Sequence, residues 1–239
     1  MQPFTNKDTR IVGMVTILSG LLALGSMLTG MVATNFDSEA FSNPILILRM
    51  ESATPMMIKW FMLLDMFGYY LLLLPGIFLL HQHMKSRTPW ASLITSAGYS
   101  YVIIGAIGAA MLAAAWPELI SNFRQASPTE QPRFQELFLL SNELVVKGIW
   151  NILEMFLAGL WWLGLSYFTE GSRSLRITTF TLGIACVMDG TGEMLGLPLL
   201  AEIGLNIYLL LAIVWAIWTG AAMLRALPQR RAAPITASV

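Results

Sequence analysis

The stretch Ile11–Thr34, IVGMVTILSGLLALGSMLTGMVAT, decides the fold. It runs 24 residues without one Asp, Glu, Lys, Arg or His. A helix that crosses the hydrocarbon core of a bilayer needs about 20 apolar residues. In lipid only a helix or a closed barrel satisfies the backbone polar groups. Ile11–Thr34 therefore reads as one transmembrane helix. It exceeds the apolar core of a secretory signal and lacks a small-x-small cleavage site, so it is expected to be retained.

Working outward, five further apolar segments follow: Lys59–Leu80, Ala91–Ala115, Leu144–Phe168, Ile177–Pro198 and Leu200–Leu224. Together they predict an all-α fold, a six-transmembrane-helix bundle filling residues 1–239 as a single domain. Pro89, Pro117, Gly171 and Pro198 punctuate helix ends, and Pro75 inside the second segment predicts a kink. The outer loops are then 35–58 and 116–143. Each holds an apolar patch, Pro44–Leu48 and Phe134–Leu140, that suits a short interfacial helix or a loop lying on the bundle. No internal repeat supports an inverted-repeat transporter plan.

Composition agrees. Apolar residues make up 56% and charged residues 12% of the 239, about half the charged share of a soluble domain. Fourteen Lys and Arg balance fourteen Asp and Glu. A disordered chain and a nucleic-acid binder with a basic field are excluded on that balance. The placement of the cations gives the topology. Nine (Lys7, Arg10, Lys85, Arg87, Arg173, Arg176, Arg225, Arg230, Arg231) fall on the side of the termini, four (Arg49, Lys59, Arg124, Arg133) on the other, and Lys147 lies within the fourth segment. The positive-inside rule then puts both termini in the cytoplasm, as for a multi-pass protein of a bacterial plasma membrane.

A charge at bilayer depth costs about 2.5–3.5 kcal/mol or more, so the residues that bear it are informative. Here they are Asp65, Lys147, Glu154, Asp189, Glu193 and Glu202, with Asn151 and Asn206 beside them. Counted along the helices, all fall in the outer half of the membrane. Glu143, Lys147, Asn151 and Glu154 follow i, i+4, i+8, i+11, one stripe of an α-helix. Asp189 and Glu193, and Glu202 and Asn206, are i, i+4 pairs. Gly190 and Gly192 predict that the Asp189–Glu193 segment is locally unwound or closely packed, and Gly192 and Gly196 have GxxxG spacing. One reading is an outward-open acidic pocket that takes a small cation, a proton or an amine. In it Asp65, Glu154 and Asp189 bind, Lys147 sets their charge, and Glu193 and Glu202 line the mouth. The other reading is a closed polar core in which Lys147 pairs with Glu154 or Asp189. Five carboxyls and one lysine cannot all ionise cheaply together, so some are expected as neutral acids.

The remaining candidates carry less. His81 and His83 diverge at i, i+2 at the end of the second helix and read as a solvated end. Cys186 is the one cysteine, so no intramolecular disulfide forms. No HExxH, GxSxG, P-loop or GxGxxG occurs, so no metal or cofactor site is read and an enzyme is disfavoured. Small-residue stripes, Ser19-Ala23-Ser26-Gly30 and Gly105-Ala109-Ala113, suit packing in the bundle or a homo-oligomer.

In layout the chain resembles the bacterial six-helix membrane family known as domain of unknown function 4386. The shared features are the basic start Lys7 to Arg10 before Ile11-Val12-Gly13, the long first outer loop, and Leu71-Leu72-Leu73-Leu74-Pro75. Gly159-Leu160-Trp161-Trp162-Leu163-Gly164 and the basic turn after it complete the likeness. The turn Thr169-Glu170-Gly171-Ser172-Arg173-Ser174 lacks the family's proline, and the acidic Asp189–Glu193 segment is not a family feature. The resemblance implies a fold and a membrane location, and no activity. Two functional expectations stand: a small transport or ligand-binding protein, or a non-catalytic accessory subunit that docks a larger membrane complex. A wet cavity reaching Glu154 and Asp189 separates the first from the second.

Overall fold

A computed structural model describes the backbone of residues 5–37, 39–168 and 172–231, and their side chains except 41–42 and 226–231. The turn residues Thr169–Gly171, the side chains of Arg230 and Arg231 and the extreme termini, on which parts of the expected topology rest, lie outside the described residues. Among the described residues the chain is helical, with no strand. In order it forms α1 (Asn6–Ala33), α2 (Glu39–Ser42), α3 (Ile45–Arg49), α4 (Pro55–Asp65), α5 (Leu74–Met84), α6 (Ala91–Gln125), α7 (Gln131–Ser141), α8 (Met155–Phe168), α9 (Arg173–Leu195) and α10 (Pro198–Arg231). A π-turn (Met66–Tyr70) and a 3-10 turn (Leu71–Leu73) join α4 to α5, and a π-helix (Asn142–Glu154) joins α7 to α8.

Five of these runs, Asn6–Ala33, Pro55–Met84, Ala91–Gln125, Gln131–Phe168 and Pro198–Arg225, are long and apolar enough to cross a membrane, as in a multi-pass integral membrane protein. The expected fifth segment forms α9, whose 23 residues have the length. Its arginines, threonines, Asp189 and Glu193 lower its apolar content.

The helices pack as lipid-embedded helices do. Between helices in lipid there is no hydrophobic drive to bury leucine, so small residues take the contacts. On α1, Ser19, Ala23, Ser26 and Gly30 are buried while Leu18, Leu21 and Leu28 face outward. Both small-residue stripes thus pack inside this chain, since Gly105, Ala109 and Ala113 of α6 are buried too. A Cβ on Gly204 of α10 would stand 2.5 Å from the backbone nitrogen of Asp189, so α9 and α10 meet backbone to backbone.

The two connections expected as outer loops differ from that expectation. The helix that was to stop near Ala115 runs through Pro117 to Gln125. Its 35 residues span about 52 Å, well beyond a bilayer core of about 30 Å. The helix survives the missing Pro117 N–H because its far end is packed. Trp116 stacks on Phe138 of α7 at 4.7 Å and donates to Ser141 Oγ at 2.9 Å. The 116–143 loop shrinks to the turn 126–130, and α7 begins the fourth long run at Gln131, not Leu144. In the 35–58 loop, α3 buries Ile47 and Leu48 against the same cluster. This gives two cores: one at this end of the bundle, of aliphatic and aromatic side chains, and a central one of tyrosines and tryptophans.

Candidate functional site

The central core is built at two breaks in the helices. Pro75 lacks the N–H that would bond the Leu71 carbonyl, and its ring crowds that carbonyl, so the ladder is rearranged just before it. The kink expected at Pro75 takes the form of the π-turn and 3-10 turn over Met66–Leu73. Carbonyls in the break are taken by other helices. Ser19 of α1 donates to the Gly68 carbonyl, and Tyr101 of α6 donates to the Tyr69 carbonyl at 2.8 Å. Asp65 is the residue immediately before this break, and Glu154 is the last residue of the second break.

The two breaks meet. Tyr70, inside the first, donates from its hydroxyl to Glu154 Oε2 at 3.1 Å. Gly105 of α6 makes room, since a Cβ there would overlap the Tyr70 ring. Tyr101 and Tyr208 share a hydrogen bond of 3.0 Å, and Tyr69 donates to the Leu209 carbonyl at 3.1 Å. Trp150, from the second break, donates to the Gly105 carbonyl at 3.1 Å.

Three carboxyls lie in this setting. Glu154 and Asp189 have no exposed surface and Asp65 has 9%. Glu154 stands within electrostatic reach of both Asp65 and Asp189. Glu154 Oε1, Asp65 Oδ2 and both Asp189 carboxyl oxygens are buried without a hydrogen-bond partner among the described residues. No cation pairs with any of the three there. Among the described residues no group of three His, Cys, Asp or Glu side chains has the geometry to hold a metal ion.

The other expected site residues fall elsewhere. Lys147 does not reach Glu154 or Asp189: its Nζ lies 2.7 Å from Glu143 Oε1, with side chains 44% and 54% exposed. The physical reason is the π-helix. Its i→i+5 bonds widen each turn, so the stripe counted at α spacing is split, with Glu143 turned outward and Glu154 inward. Asn151 is half-buried, where its backbone faces Gly190 of α9. Glu193 is half-buried, one turn beyond Asp189. Glu202 and Asn206 are exposed, and the Asn206 amide donates to the Glu202 carbonyl at 2.9 Å. They stand apart from the buried group.

The Asp189–Glu193 segment is helical and tightly packed, not unwound. Gly192 lies on the backbone of Ala201, whereas Gly196 has open space around it and caps α9 at φ 67°. The GxxxG spacing is therefore one contact and one cap. His81 is not simply solvated: its Nδ1 is 2.8 Å from Thr95 Oγ1 on α6, while His83 is exposed.

No protein-family model, curated protein or solved structure matches this chain. The site therefore stands on its own geometry. That geometry is closed. A cavity of about 10 Å³ beside Ser19, Tyr69, Trp162 and Trp215 has room for one water at most. Glu154 and Asp189 have no contact with solvent, so the expected outward-open pocket is not the form described here.

Tyr101 and Tyr208, which join the Tyr69-Tyr70 pair, are what sequence reading missed. Tyr69, Tyr70, Tyr101 and Tyr208 are all buried, and three of the four lie within electrostatic reach of Glu154. Their signal was the Tyr69-Tyr70 pair directly before Leu71–Pro75, where carbonyls freed by a proline break need donors.

Proposed function

We infer that this chain is a six-span membrane protein that binds protons at an occluded site formed by Asp65, Glu154 and Asp189, in the service of transport. One observation carries the reading: two carboxyls with no exposed surface and no counter-charge among the described residues. An unpaired carboxylate in such an interior is far costlier than its neutral acid, so the species these groups can exchange with least penalty is the proton. Intramembrane acids that face the bundle interior are the usual elements of proton relays. The Tyr70 hydroxyl on Glu154 gives the acid a fixed orientation whichever way the proton sits.

Six spans follow if α9 is counted. Its 23 residues cover about 34 Å. It buries Thr179, Asp189 and Gly190 and turns Ile177, Phe180 and Ile184 outward. An even number of spans, together with the cation bias described above, supports both termini on the cytoplasmic side, as in a bacterial plasma membrane. The layout likeness to the six-helix family 4386 supports the same arrangement.

The test is proton uptake by the purified chain in liposomes after a pH jump, read by a trapped pH dye. Glu154→Gln and Asp189→Asn are each expected to remove uptake while leaving the fold intact. Uptake equal to that of the unaltered protein in both would sink the proposal.

A second reading, an accessory subunit of a larger membrane complex, is favoured by the dry, closed form of the same core. Its mark is a solubilised chain that takes up no protons and migrates well above the mass of its 26.4 kDa chain.

A further inference from the structure

We propose that Glu193 is the relay by which protons reach the buried Asp189–Glu154 pair, with the Lys147–Glu143 ion pair at the mouth of the route. The proposal rests on the proton-binding reading and names the path into that site. α9 lies directly on the second break. A Cβ on Gly190 would stand 3.4 Å from both the Asn151 carbonyl and the Met155 side chain. One turn further along α9, Glu193 comes towards the turn that carries Lys147, within electrostatic reach of its ammonium. Asp189 and Glu193 are i, i+4 on α9, about 5–6 Å apart at their Cβ atoms, and they interact electrostatically.

Exposure rises along this line. Glu154 and Asp189 are sealed, Glu193 and Lys147 are half-buried, and Glu143 is exposed. Asp189 is also the acid with both oxygens unpartnered, so the buried end of the line holds a free acceptor.

Among the described residues, Glu193 interacts with Asp189 of its own helix and with Lys147 of the π-helix, which Glu143 holds in an ion pair. From α10, which meets α9 where Gly192 touches Ala201, the next acid is Glu202, and it is exposed. In the transfer, the O–H bond of protonated Glu193 breaks and an O–H bond forms on an Asp189 oxygen. Glu193, left as a carboxylate beside Lys147, then takes a new proton from bulk water. Glu143 already holds Lys147 at 2.7 Å, so the ammonium stays balanced while Glu193 is neutral.

The experiment follows the carboxylic acid carbonyl band of the full-length protein in liposomes by time-resolved infrared after a pH jump. Bands lost in E154Q and D189N assign the buried acids. In E193Q the same bands are expected to reach the same final amplitude about 100-fold more slowly. E193A, which removes only a half-buried side chain, should slow them alike, and E193D should restore most of the rate. E118Q, an exposed acid at the far end of α6, should leave the rate unchanged. An unaltered rate in E193Q and E193A overturns Glu193 as the relay while leaving the proton site standing. Absence of any responding buried band in the unaltered protein overturns both.

Discussion

The chain breaks its helical ladder twice, at Met66–Leu73 and at Asn142–Glu154, and the two breaks differ in cause and in hold. The first has a covalent cause in Pro75 and is gripped from outside: Ser19 and Tyr101 take its carbonyls, and Gly68 is pressed on the backbone of Ala23. The second contains no proline. It runs 13 residues and meets a foreign backbone at ordinary van der Waals distance, where a Cβ on Gly190 of α9 would stand 3.4 Å from the Asn151 carbonyl, and the Lys147–Glu143 ion pair flanks it. A π-segment without a covalent cause is kept by what it places, and here it turns Glu154 inward to Tyr70. The first break is a fixed socket, and the second is the softer element that delivers the acid to it.

The largest effect expected from that difference is at glycine. Gly68→Ala puts a methyl group onto the Ala23 backbone, and α1 must move to admit it. A loss of at least about 3 kcal/mol is expected, read by unfolding in mixed detergent micelles. A near-neutral result would mean that the first break is not gripped at all.

Next comes the grip itself. Ser19→Ala leaves the buried Gly68 carbonyl without its donor, at a cost of about 1–3 kcal/mol. In a Pro75→Ala background the ladder can reclaim that carbonyl, so the same change should cost less. An equal cost in both backgrounds would show that tertiary contacts, not the proline, hold the break open.

At the second break the sign reverses. Gly148→Ala meets the Glu143 carbonyl at 3.4 Å, an ordinary contact. Alanine favours helix over glycine by about 0.5–1 kcal/mol, so the variant should be slightly more stable. Destabilisation by more than that would mean that the second break is as tightly held as the first.

The two breaks also mark how far the sequence could be read. Asp65, Glu154 and Asp189 were legible because burial in an apolar segment makes an acid conspicuous whatever the local helix geometry. The first break was legible through Pro75. The second was not, since Asn142–Glu154 has ordinary helix-forming residues and only a tertiary setting selects i→i+5 bonding over i→i+4. Counted at α spacing, Lys147 faces the acids; in the wider turns it is half-buried and pairs with Glu143 instead. The extension of α6 past Pro117 was hidden for a similar reason. Its stability comes from Trp116 against Phe138, a partner 22 positions away that no local signal names.

The smallest effect lies where the run bearing the second break begins. In the turn between α6 and α7, Glu130 accepts from the Ser127 hydroxyl at 2.6 Å and from the Ser127 N–H at 3.1 Å. These bonds hold its carboxyl below the usual carboxylate range. The folded value is the lower one, so the clamp is fully present above the unfolded glutamate value of about 4.3 and is lost as pH falls through the folded value. Ser127→Ala should return Glu130 towards the ordinary range, as read by NMR titration. Because Glu130 is fully in solvent, the consequence is local: acid should speed amide exchange in the first turn of α7 and leave that of Asn142–Glu154 unchanged. If acid loosened both together, the register of the second break would be set from the head of α7 rather than by the Tyr70–Glu154 contact. The soft element would then be the whole run Gln131–Glu154.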